Sequence, residues 1–135
     1  MNKKFIWSVR VYYEDTDAGG VVFYANYLKF YERARTEMLR TMGYEQDQLN
    51  QDENIIFVVR SVKAEYLKPA KFNELLQVSA KVESTGPASV TFTQDITYNK
   101  VLLNQAHIKI ACLDSKTMRP KLIPKKILER LKNEC

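Results

Sequence analysis

The stretch Tyr12-Tyr13-Glu14-Asp15-Thr16-Asp17-Ala18-Gly19-Gly20-Val21-Val22-Phe23-Tyr24-Ala25-Asn26-Tyr27 sets the reading of this chain. It runs from a strand, through two acids and paired glycines, to the mouth of a helix. Neither Asp15 nor Asp17 has an obvious basic partner nearby in the sequence. Gly19 and Gly20 let backbone approach a ligand with no side chain in the way. A helix opening close to Tyr24 brings free N–H groups and a positive dipole end near the acids. A carboxylate that attacks or activates water, beside donors that stabilise an oxyanion, suits acyl chemistry. Asp before Gly is equally ordinary turn chemistry, and on spacing alone either aspartate fits the catalytic part.

Upstream, residues 6–14 alternate, with Trp7, Val9, Val11 and Tyr13 on one side and Arg10 and Glu14 on the other, which predicts a half-buried strand. Downstream, Tyr27, Phe30, Tyr31, Ala34, Met38 and Met42 recur at three- and four-residue steps, the apolar stripe of a helix. That helix runs from about Tyr24 to Met42, with Asn26 as an alternative N-cap and Gly43 as its stop. Its polar stripe includes an Arg33–Glu37 pair of i,i+4 spacing. Residues 44–54 read as a polar loop with a helical turn around Gln46–Leu49.

Four strand-like runs follow, at 55–67, 75–84, 88–98 and 101–113. The first places Ile56, Val58, Val62, Ala64 and Tyr66 on one face, interrupted by Arg60. The second turns Leu76, Val78, Ala80 and Val82 inward, and Gly86-Pro87 marks the turn after it. In the third, Val90, Phe92, Ile96 and Tyr98 oppose Thr91, Thr93, Asp95 and Thr97. The fourth buries Ala106, Ile108, Ile110 and Cys112. Pro120 and Pro124 bracket a loop before a short basic helix over 125–133. The 135 residues suit one domain without repeat or linker, and a 45% hydrophobic share excludes disorder. The pattern is α+β: a mostly antiparallel sheet wrapped on one long helix. One helix covers one sheet face, so the other face and the edges invite a second subunit.

The motif closely resembles the signature of hot-dog-fold acyl-CoA thioesterases. More narrowly it is similar to the hydroxybenzoyl-CoA thioesterase family and its tol-pal-associated acyl-CoA thioesterase branch. The resemblance continues through Phe30-Tyr31-Glu32-Arg33-Ala34-Arg35-Thr36-Glu37, Phe57-Val58-Val59-Arg60, Tyr66-Leu67-Lys68-Pro69-Ala70 and Met118-Arg119-Pro120, and so covers nearly the whole chain. It implies a hot-dog domain over 1–135, hydrolysis of acyl-CoA to free acid and CoA, and a site at a subunit interface of a homodimer or homotetramer. It implies that Asp17 is the catalytic carboxylate, as nucleophile or as base on water, and that helix N–H groups near Tyr24 polarise the carbonyl. Asp15 is expected to hold the turn. The tol-pal branch usually carries His where this chain has Tyr24, whereas the hydroxybenzoyl-CoA enzymes have Tyr. The acyl pocket is expected along the helix stripe, with Phe23 and Tyr27.

Thioester carbonyls are activated already, so this chemistry needs no Ser-His-Asp set, metal or bound cofactor. The sole histidine, His107, shares an exposed strand face with Gln105 and Lys109 and is badly placed for a hot-dog dehydratase. Arg60 reads either as an anion-binding interface residue or as an edge arginine reaching solvent. All of the net charge of +5 sits at residues 115–135, where seven bases meet two acids. That segment offers a dock for CoA phosphates or an acidic acyl carrier protein, and it motivates a competing reading as a non-catalytic carrier-protein or anionic-lipid binding module. Nucleic acid is disfavoured because the aromatics keep core-type periods. No apolar run spans a membrane. The signal-like start is cut short by Arg10, and Cys112 with the terminal Cys135 gives neither a disulfide nor a metal spacing, so a reducing cytoplasm is expected.

Overall fold

The computed structural model describes residues 4–133. Met1–Lys3, Glu134 and Cys135 lie outside them, and with them the start of the signal-like segment and the expectation for Cys135. Five strands, β1 (Phe5–Arg10), β2 (Ile55–Tyr66), β3 (Leu75–Gly86), β4 (Ser89–Tyr98) and β5 (Val101–Asp114), form one antiparallel sheet in the order β1-β3-β4-β5-β2. Its concave face wraps helix α1 (Asn26–Thr41), in which Tyr27, Phe30, Tyr31, Ala34 and Met38 are buried as the stripe requires. Fully covering aromatics the size of Phe30 and Tyr31 stabilises the fold by about 2–3 kcal/mol each.

Gly43 ends α1 in a Schellman arrangement. Its φ is 93°, its N–H donates to the Arg40 carbonyl, and the Tyr44 N–H donates to the Leu39 carbonyl. The segment after it is a full helix, α2 (Gln46–Glu53), and not a loop with one turn. It buries only Leu49, so it carries almost no periodic signal, and it is closed by Asn54 in the left-handed region. The last helix, α3 (Lys125–Asn133), buries Ile127 and Leu131.

Three local expectations need correction. The first strand ends at Arg10, and the chain then closes a 3₁₀ turn at Tyr13–Asp15. Val9 and Val11 reach the core, but Tyr13 points outward and stacks on Phe72 with centroids 3.9 Å apart. In β2 a bulge at Arg60 shifts the register between Val59 and Ser61. Partners across β5 show that Phe57 and Val59 share the inner face with Ala64 and Tyr66, while Ile56 and Val58 lie outside. One inserted residue reverses the phase, so no single alternation fits the whole strand. Finally, Glu37 pairs with Arg40 at 2.6 Å and not with Arg33, whose guanidinium lies over the Phe30 ring.

The inward residues of β3 and β5, and the apolar ones of β4, are those the alternation gives. Among the described residues no helix is long and apolar enough to cross a membrane.

Candidate active site

Residues 16–22 form a small hairpin of their own. Thr16 bridges Val22, the Asp17 N–H donates to the Val21 carbonyl at 2.9 Å, and the Gly20 N–H donates to the Asp17 carbonyl at 3.0 Å. A turn from Asp17 to Gly20 whose last residue, Gly20, has a φ of 79° is a three-residue hairpin loop with a glycine bulge. Gly20 is the residue that needs the left-handed conformation. The hairpin is pinned to the sheet side by the Val22 N–H, which donates to the Ala70 carbonyl, and by the Val21–Lys71 bridge.

The two aspartates have different surroundings. Asp15 is buried, accepting the Tyr12 N–H at 2.9 Å and the Asn26 amide at 3.2 Å, and its carbonyl takes the Phe23 N–H. It clamps the entry to the hairpin onto the first residue of α1, with one hydrogen bond on each carboxylate oxygen. Asp17 is exposed, and its Oδ1 accepts the Gly19 N–H at 2.8 Å. A Cβ on Gly19 would stand 3.2 Å from that oxygen, so the glycine keeps the carboxylate's position open.

Helix α1 starts at Asn26, with Ala25 as the capping residue and no side-chain cap, so Asn26 serves as a clamp on Asp15 and not as the N-cap. The Tyr24 carbonyl accepts the Tyr66 hydroxyl at 3.1 Å. Val22, Tyr24, Tyr27, Tyr66, Leu67, Lys68 and Pro69 line a shallow concavity beside the hairpin. Tyr24 is 66% exposed, so its hydroxyl is available to a ligand. Phe23 is half-exposed and packs on Tyr24 without lining the concavity. Tyr27 is buried, and its oxygen accepts the Ala70 N–H at 3.0 Å. Burial pushes its hydroxyl above the usual range, partly offset by that hydrogen bond. Tyr27→Phe would orphan a buried N–H, and we expect it to lower the unfolding free energy by about 1–3 kcal/mol in a denaturant titration.

The structure sets Asp17, Gly19 and Gly20 on one hairpin, with Tyr24 two residues beyond its Val22 end in the concavity, and leaves Arg60 apart. That residue is exposed at the β2 bulge, six positions before Tyr66 and so roughly 20 Å along the strand from the concavity. Sequence alone gives Tyr66 and Asn26 no site role. Tyr66 stood in view within Tyr66-Leu67-Lys68-Pro69-Ala70, whereas the Asn26 contact with Asp15 spans a hairpin and has no local pattern.

Comparison with known proteins bears on the same region. The thioesterase superfamily matches residues 19–101, beginning two residues after Asp17. The acyl-CoA thioester hydrolase YbgC of Escherichia coli O6:H1 is 46% identical over 129 residues, covering 95% of this chain and 96% of its own. The acyl-CoA thioesterase YbgC of Haemophilus influenzae is 42% identical over 127 residues, covering 94% and 93%. The crystal structure of a probable thioesterase from Bartonella henselae superposes with a TM-score of 0.87 at 31% identity, covering 90% of this chain and all of that one. By that match, those relatives and its antiparallel sheet wrapped on a central helix, the chain belongs to the thioesterase superfamily and has the hot-dog fold.

Proposed function

We propose that this protein hydrolyses acyl-CoA thioesters to the free acid and CoA, with the Asp17 carboxylate as nucleophile or as general base on water. The observation that carries the reading is the contrast between the two acids: Asp15 is spent on structure, and Asp17 is held open on a pinned hairpin beside the start of α1. In the nucleophilic route, an Asp17 oxygen adds to the carbonyl, the C–S bond breaks, and CoA leaves as its thiol or thiolate. Water then cleaves the mixed anhydride. In the other route Asp17 takes a proton from the attacking water. Either way the carbonyl oxygen gains charge, and N–H groups at the start of α1, near Tyr24, are the donors suited to it. Gly19 orients the carboxylate by its N–H, Gly20 fixes the turn, and Tyr24 contributes its exposed hydroxyl to binding the substrate.

The exposed lysines Lys125, Lys126 and Lys132 of α3 suit CoA phosphates or an acidic acyl carrier protein as the alternative acyl donor. The free, buried thiol of Cys112 accords with a cytoplasmic setting. The reading is tested by thiol release from acyl-CoAs of short, medium and long aliphatic chains and one aromatic acyl group. Release from part of this set is expected. Release from none, with retained binding of acyl carrier protein or anionic vesicles, favours the binding module instead.

A second copy completes the site in this reading. Strand β2 is a sheet edge on which Val59 and Val62 are 50% and 39% exposed. Antiparallel pairing of two β2 strands makes a homodimer, the unit of any homotetramer, and sets Arg60 at the seam between the two copies. Sedimentation should give at least twice the 15.8 kDa chain mass. The double variant Val59→Glu/Val62→Glu should shift it to the monomer, because like charges would meet across the paired edges.

A further inference from the structure

Beneath the C-terminal half of α1 lies a cavity of ≈ 100 Å³, separate from the Asp17 hairpin. Its walls are Leu39, Phe57, Phe92, Ile110 and Leu131. Arg35 also lines it, nine residues along α1 from Asn26 and thus about 14 Å from the start of the helix. The Arg35 side chain is only 7% exposed. Its Nη1 donates to Gln94 Oε1 at 2.8 Å, a neutral acceptor. No carboxylate stands within ion-pair distance of it among the described residues. Glu32, one turn before, lies at the same cavity but accepts the Thr36 hydroxyl at 2.9 Å.

A guanidinium this buried, bonded to one neutral acceptor and with no carboxylate in ion-pair contact among the described residues, is costly to hold. Gln94 cannot supply the missing charge. Desolvation lowers the Arg35 pKa to about 10, partly offset by Glu32, so the cation persists at neutral pH. The ligand that complements a planar fork in an apolar chamber is a carboxylate with a hydrocarbon body. The cavity is smaller than the about 150 Å³ that takes benzene, so it suits only a short acid. Glu32 at the rim opposes a second negative charge there.

We propose that this cavity is a binding site for a short apolar monocarboxylate, its carboxylate on the Arg35 guanidinium and its hydrocarbon against Phe57, Phe92 and Ile110. The source is a free short-chain acid, independent of the proposed hydrolysis, because a dicarboxylic acyl group short enough for the cavity does not span the distance from the start of α1 to Arg35.

Calorimetric titration of the full chain with butyrate and with uncharged butyramide tests the site without requiring turnover. Butyrate should bind, and butyramide about tenfold more weakly or not at all, as expected for loss of a charge-assisted contact. Arg35→Lys, which keeps the charge but loses the fork, should weaken butyrate about tenfold. Gln46→Trp is a second variant that leaves Arg35 intact and fills the rim, where Gln46 donates to Thr36. It should abolish binding even if Arg35→Lys does not fold. Equal affinity for butyrate and butyramide, unchanged butyrate binding by folded Arg35→Lys and Gln46→Trp, or no butyrate binding by wild type would each overturn the proposal.

Discussion

Gln94→Leu should destabilise the fold by about 3–5 kcal/mol, the range for stranding a buried charge. For a domain of this size that lowers the melting temperature by on the order of 10 °C or more. Gln94 is fully buried, and its amide does three jobs. Its Oε1 accepts from Arg35 at 2.8 Å, and its Nε2 donates to the Tyr31 carbonyl at 3.1 Å and the Ser79 carbonyl at 3.0 Å. The amide therefore ties α1 to β3 from β4. Leucine is similar in volume, so little of the loss comes from packing. It comes from leaving the Arg35 guanidinium without its hydrogen-bond partner and two carbonyls short of a donor. Gln94→Glu, which keeps the acceptor and adds a counter-charge, should recover part of the Arg35 share while losing the Nε2 donations. Thermal melts of the two variants beside wild type measure both effects.

The largest effect on activity is expected from Asp17→Asn. The variant should fold as wild type does, because the side chain is exposed and asparagine's carbonyl oxygen can still accept the Gly19 N–H. It should turn over at most about one hundredth as fast, since an amide neither attacks a thioester nor takes a proton from water. The loss should fall on kcat more than on KM, because CoA and the acyl chain keep their contacts. Asp15→Asn differs in kind. It weakens the buried clamp between Tyr12, Asp15 and Asn26, and its defect should appear in the melting temperature as well as in the rate.

How far the sequence carried the argument depends on the range of each signal. The stripe of α1, the Gly43 stop and the alternation of β4 and β5 follow from periods of a few residues, and all are found in the structure. In β2 the bulge at Arg60 consumed one residue and reversed the phase, which no local pattern announces. Helix α2 was legible only as a turn, because a single buried leucine makes no stripe. At the site, the Asp17-Ala18-Gly19-Gly20 run located the turn, but spacing could not rank the acids. The proposal for Asp17 rests on the resemblance, and the burial of Asp15 against the exposure of Asp17 supports it. Arg35 and Gln94 went unread because each sits beside a regular apolar pattern, and they meet from 59 positions apart. A buried polar pair of that kind becomes visible only when the sheet brings β4 beneath α1.

The most direct test of the account is thiol release from the best acyl-CoA substrate by wild type and Asp17→Asn, measured side by side with melting curves of both proteins. Turnover by wild type, with at least about a hundredfold loss in an equally stable variant, is the predicted result. Equal rates in the two proteins would contradict the assignment of Asp17 and shift attention to Asp15.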